Sequence, residues 1–147
     1  MTVLVRVDTP WQDYAAVVEA ARLLGDVTPV LHTLWDCSAE LVCAISDERD
    51  TAAAHRVALA ALAQARTYTP ACVARAGTAA LVIEQAAAAG DCSALLCEAG
   101  YLWREVEESA KAAGDLDTLA RLALAVLAEV STYAPAQSVP VAGDLEF

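Results

Sequence analysis

The 147-residue chain has one lysine, Lys111, against eight arginines, and only 5% of its residues are aromatic. Glycine (6) and proline (5) are equally sparse. That scarcity excludes collagen-like and mucin-like chains, and the 58% of hydrophobic residues excludes a disordered acidic tail. Basic residues are outnumbered by acidic ones, 9 to 20, for a formal charge of −11. A nucleic-acid backbone is therefore repelled, so no nucleic-acid partner is expected. Mean hydropathy is high, +0.44. Even so, the two most apolar stretches are interrupted by Glu84 and Asp91 in one and by Asp117, Arg121 and Glu129 in the other. Neither offers the roughly 18 uncharged residues that a membrane helix needs, so a soluble chain without a membrane partner is expected. The segment Met1–Pro10 carries Arg6 and Asp8 and lacks the apolar core of a secretory signal.

Catalytic and metal signatures are also missing. There is no Gly-x-Ser-x-Gly, no glycine-rich phosphate loop and no dinucleotide fingerprint. No Cys-x-x-Cys occurs, and the pairs Cys37/Cys43 and Cys92/Cys97 diverge around a helix. His32 and His55 have no histidine or glutamate three or four positions away to complete a bundle metal site. The thiols are accordingly read as small hydrophobes in a reducing, cytoplasmic setting, and no cofactor, metal or catalytic residue is expected. Glu19 and Glu84, Glu105, Glu107 and Glu108 with Lys111, and the run Asp47–Asp50 all read as solvated helix faces or turns.

What the chain does have is alanine, 35 residues of it, and an internal echo. Arg56–Ala71 (RVALAALAQARTYTPA) overlies Arg121–Ala136 (RLALAVLAEVSTYAPA) at an offset of 65, with ten of sixteen positions identical. Ala-Leu matches are cheap in such a chain. The informative ones are Arg56/Arg121, Thr67/Thr132, Tyr68/Tyr133 and Pro70/Pro135. The same ungapped register pairs Glu19/Glu84, Gly25/Gly90, Asp26/Asp91, Glu40/Glu105 and Asp50/Asp115. The period is not a multiple of the 34 residues of tetratricopeptide repeats.

The register, together with glycine and proline stops, predicts an all-α fold. It is a single domain, a six-helix bundle built from a duplicated three-helix unit (about residues 11–71 and 76–136). Helices are predicted over about 11–24, 29–45 and 51–67, then 71–89, 92–113 and 115–133. Asp26 or Thr28 caps the second, Pro29 sits in its first turn, and Pro70 and Pro135 stop the third and sixth. Asp117 and Arg121 are expected to pair on the outer face of the last helix. The ends, 1–10 and 137–147, lie outside the repeat, and the alternation in Thr2–Val7 marks a short extended N-terminal segment that either pairs with the tail 138–142, within or between chains, or is disordered or loosely packed.

Alanine-lined helices approach closely and leave a thin core, so large side chains carry weight. Trp11, Trp35 and Trp103 break the 65-residue register and are candidate interface or pocket residues, as are Tyr68 and Tyr133 at the ends of the third and sixth helices. Apolar content in excess of what a small interior can hide points to a protein–protein interaction or structural accessory module. A second copy (a homodimer) or another protein would be its partner. The alternative is a regulatory bundle that binds an apolar small molecule in a pocket between the two units. The arginine and alanine bias suits a GC-rich bacterial genome.

Overall fold

A computed structural model describes residues 3–7, 10–133 and 137–141. Six helices follow a short strand and precede another. These are β1 (Val3–Val7), α1 (Pro10–Leu24), α2 (Val27–Glu48), α3 (Thr51–Ala65), α4 (Pro70–Ala89), α5 (Cys92–Ala113), α6 (Leu116–Tyr133) and β2 (Gln137–Val141). The fold is all-α, and no helix among the described residues is long and apolar enough to cross a membrane.

Local chemistry sets the helix ends. Gly25, Gly90 and Gly114 adopt left-handed φ values of 72°, 67° and 66° after α1, α4 and α5, a conformation in which a side chain is strained. At the helix starts, a side-chain oxygen accepts a free backbone N–H. Asp26 caps α2 through Thr28 N (3.3 Å), Thr69 caps α4 through Cys72 N (3.2 Å) and Asp91 caps α5 through Ala94 N (3.1 Å). Asp50 and Asp115, one repeat apart, cap α3 and α6 at 3.0 Å each.

The run Asp47–Asp50 is solvated at Asp47, Glu48 and Arg49, as its charges suggest, but only its last two residues make the turn. α2 continues through Asp47 and Glu48, Arg49 turns the chain in the left-handed region (φ 50°), and Asp50 is the cap of α3. α2 therefore runs past the predicted end at 45, because a helix needs only a cap to stop and acidic residues do not supply one at its C-terminus. α3 ends at Ala65, two residues before the predicted stop, which leaves Tyr68 in the following turn. The stop at Pro135 lies outside the described residues.

The two most extensive helix contacts cross between the units. α2 makes its most extensive contacts with α6, and α3 with α5, while α1 lies on α2 and α6 and α4 lies on α5 and α3. Replacing each helix by the one 65 residues on turns every one of these pairs into another of them, which is how a local twofold axis acts. A single core runs through the bundle. α3 contributes mostly alanine (Ala53, Ala54, Ala58, Ala61, Ala65), and its neighbours supply the bulk through Leu34, Leu41, Ile45, Leu95, Leu102 and Leu122. The small residues let α3 nestle against α4 and α5, and each buried leucine contributes about 1.5–3 kcal/mol.

The predicted N-terminal strand forms, and its partner is the tail. β1 pairs antiparallel with β2, from Val3 opposite Val141 to Val7 opposite Gln137. Each strand of a two-stranded ribbon has a free edge, so Pro140 is tolerated although it has no N–H to donate.

Candidate functional site

Three of the five singled-out aromatics belong to the framework. Trp11 is 6% exposed and lies 5.7 Å, centroid to centroid, from the Tyr14 ring. Tyr68 donates from its hydroxyl to Asp115 Oδ2 at 2.8 Å, and Tyr133 donates to Asp50 Oδ2 at 3.0 Å. These bonds are reciprocal: the tyrosine of each unit holds the helix cap of the other. Asp115 accepts from the Thr118 hydroxyl, the Thr118 N–H and Tyr68, which together hold its carboxyl below the usual carboxylate range. Asp50 is held low by the Ala53 N–H and then by the Tyr133 hydroxyl. Both tyrosine hydroxyls are pushed up, by burial first and by their acceptor aspartates second.

The other two, Trp35 and Trp103, meet at a cleft between α2 and α5. Its volume is about 570 Å³, within the range of small-molecule sites. It is lined by the buried Leu34 and Trp103, by Val42 and Gly100, and by Arg104, Glu107 and Lys111. Four residues from each helix correspond across the repeat here: Trp35/Gly100, Ser38/Trp103, Ala39/Arg104 and Val42/Glu107. The cleft thus straddles the junction of the two units. Trp103, only 8% exposed, also lines a small gap of about 40 Å³ beside Val57, Ala60 and Val126 of α3 and α6. A single indole therefore spans the centre of the bundle.

Trp35 is 45% exposed, and its position is fixed. Its Nε1–H donates to Glu107 Oε1 at 2.8 Å, and its ring lies 5.9 Å from the His32 ring. Glu107 is itself buried, 8% exposed, with its other oxygen 3.6 Å from Lys111 Nζ. The expectation of a wholly solvated Glu105–Lys111 face is therefore corrected. Glu107 points inward because an indole N–H from α2, 72 residues away, satisfies one oxygen and Lys111 balances its charge. Glu98 is buried in the same way, paired with Arg75 at 3.0 Å. Arg104 makes no ion pair among the described residues.

Other charged groups keep to the surface. Glu19 and Glu84 are both exposed, and Glu19 pairs with Arg22 at 2.9 Å. Asp117 does not pair with Arg121 as its spacing suggested. It lies 3.6 Å from Arg22 of α1, and Arg121 instead donates to the Thr118 hydroxyl at 3.2 Å. The close approach of α1 to α6 offers Asp117 a cation from another helix.

No group of three or more histidine, cysteine or acidic side chains among the described residues is placed to hold a metal ion. Cys37, Cys72 and Cys92 are wholly or partly buried, and Cys43 and Cys97 are exposed. Burial pushes the Cys37 thiol up to about 12, with Asp36 adding to the effect. No protein-family model matches the chain, and no curated protein or solved structure matches it at a significant level.

Proposed function

We propose that this chain is a non-catalytic protein-interaction module, a small acidic cytoplasmic protein of bacterial type that associates through the α2–α5 face. A second copy is the first partner to test and another protein the alternative. One observation carries the reading: Trp35 stands nearly half exposed at the mouth of an apolar cleft, held rigid by Glu107. A large amphipathic ring fixed in advance loses little entropy on contact, which is why tryptophan dominates interface hot spots. The Glu107 carboxylate and the Lys111 ammonium neutralise one another, so the cleft offers mainly apolar contact, which suits binding. The charge of −11 does not oppose self-association strongly, since the screening length at physiological salt is about 8 Å. The related helix order of the two units supports an origin by duplication.

The cleft's volume of about 570 Å³ favours a second reading, an apolar small molecule bound between the units. Light scattering at 1–100 μM on the intact chain and on Trp35→Ala separates the two. Self-association predicts a concentration-dependent dimer that Trp35→Ala abolishes while the helical circular dichroism stays native. A monomer throughout, with Trp35 fluorescence displaced by an apolar dye, overturns self-association in favour of the small-molecule reading.

A further inference from the structure

A second groove lies between α1 and α2, entirely within the first unit. Its volume is about 400 Å³, its walls include Tyr14, Val17 and Pro29, and its polar groups are Asp13, Thr28, Thr33, Asp36 and the His32 imidazole, whose ring faces Trp35. Among the described residues, neither Asp13 nor Asp36 has an ion-pair partner, and no arginine or lysine lines the groove. Thr33 is only 2% exposed, yet among the described residues its hydroxyl has no hydrogen-bond partner. No side-chain oxygen sealed away from the surface lacks a partner among the described residues. The Thr33 hydroxyl therefore opens onto the groove that the residue lines. A hydroxyl open to the slot beside the exposed carboxylates Asp13 and Asp36 is free to accept from an incoming donor.

The second unit shows what such a donor looks like. On the corresponding face, between α4 and α5, Arg75 places its guanidinium 3.0 Å from Glu98 and 5.6 Å from the centroid of the Tyr101 ring. Glu98 and Tyr101 stand 65 residues after Thr33 and Asp36, and Arg75 stands 65 after Pro10. The second unit thus fills this face with its own guanidinium, acid and aromatic ring. The first has acid, ring and the exposed His32 imidazole, but no arginine or lysine. Tyr14 responds to that uncompensated field: burial, then the charge of Asp36, pushes its hydroxyl up, so it remains a neutral ring and hydroxyl.

We propose that the α1–α2 groove binds a small organic cation, an ammonium or guanidinium group on a short alkyl stem. Asp36 and the Thr33 hydroxyl receive its N–H donors, Asp13 adds a second carboxylate, and Tyr14, Val17 and Pro29 take the stem. Charge-assisted hydrogen bonds inside a slot are stronger than exposed pairs and resist salt better. The proposal is independent of the α2–α5 cleft.

Isothermal titration of the full chain in 150 mM NaCl with agmatine and with n-butylammonium tests it, with n-butanol and butyrate as neutral and anionic controls. We expect saturable one-to-one binding of both cations and none of the controls. Asp36→Asn should weaken binding at least tenfold and Thr33→Val several-fold, while Glu19→Gln, an exposed carboxylate elsewhere, leaves it unchanged. Thermal melts of each variant verify folding. Failure of both cations to bind overturns the proposal, as does equal weakening by Glu19→Gln, which would mean diffuse attraction to an acidic protein. Binding of an arginine-containing peptide when neither free cation binds also overturns it, assigning the groove to a protein partner.

Discussion

Exchanging Trp103 and Ser38 tests whether one indole fills a position that either unit could fill. The two residues are one repeat apart, on α5 and α2. Trp103 is 8% exposed and spans from the α2–α5 cleft to the gap between α3 and α6. Ser38 is half-buried on the facing helix and donates to the Trp35 carbonyl at 3.1 Å. If the units are related by a local twofold axis, equivalent side chains near that axis approach one another, and two indoles cannot share the space. One large and one small residue can. Trp103→Ser alone removes a buried indole and should cost about 3–5 kcal/mol, by analogy with tryptophan-to-alanine changes in cores. Ser38→Trp alone overpacks the junction and should cost about 1–3 kcal/mol.

The double variant Ser38→Trp/Trp103→Ser should be less unstable than Trp103→Ser alone, with a favourable coupling of at least about 1 kcal/mol. Urea unfolding followed by circular dichroism at 222 nm gives all three differences. In thermal melts each 1 kcal/mol corresponds to about 2–4 °C for a chain of this size. A double variant whose destabilisation equals or exceeds the combined cost of the single changes refutes the argument. Trp103 would then owe its place to neighbours peculiar to α5, and the contact pattern would not reflect interchangeable positions.

Three further outcomes are expected. Arg49→Gly should stabilise the fold by about 0.5–1 kcal/mol in urea unfolding, since Arg49 turns with φ 50° where its repeat counterpart is Gly114 at 66°. Labelling with a thiol reagent at pH 8 should modify Cys43 and Cys97 rapidly and leave Cys37 unmodified until the protein is unfolded. Burial keeps the Cys37 thiol protonated, up to about 12. The Asp50 and Asp115 carboxyls are held low by their caps and by the tyrosines, so their stabilisation is complete above the ordinary carboxylate range and is lost as pH falls through their lowered values. Thermal midpoints measured from pH 2 to 6 should therefore fall less steeply in Tyr68→Phe/Tyr133→Phe than in the unaltered chain.

How much of this was legible in the sequence depends on where each residue's partner lies. Gly25, Gly90, Asp26 and Asp91 announce helix ends because a cap acts within one turn of its own position. Arg49 hides the same kind of ending, since a left-handed residue without glycine gives no signal, although its counterpart Gly114 does. Glu107 reads as a surface group because its spacing shows only its own helix, and Trp35 comes from another. The tyrosine–aspartate bonds span 47 and 83 residues, beyond any local pattern. One signal was present: Asp50/Asp115 and Tyr68/Tyr133 each recur at the same offset, and a polar pair kept twice in one register is a candidate for reciprocal contact.

That register also separates what builds the fold from what distinguishes this protein. Positions that match across 65 residues (Gly25/Gly90, Asp26/Asp91, Asp50/Asp115, Tyr68/Tyr133) are stops, caps and the bonds that tie one unit to the other. Such groups must satisfy the same backbone geometry in both units, so there is little room for them to differ. Both proposed sites fall where the units disagree. The α2–α5 cleft is made by Trp35 against Gly100 and Trp103 against Ser38, and the α1–α2 groove by Thr33 against Glu98 and Asp36 against Tyr101. A strictly symmetric bundle would either fill both α1–α2-type grooves with a guanidinium or leave both open, and would set two indoles or none at its centre. A hydroxyl that opens onto a groove with no partner among the described residues, and a tryptophan left half exposed, are local exceptions of the kind a fold keeps where it binds.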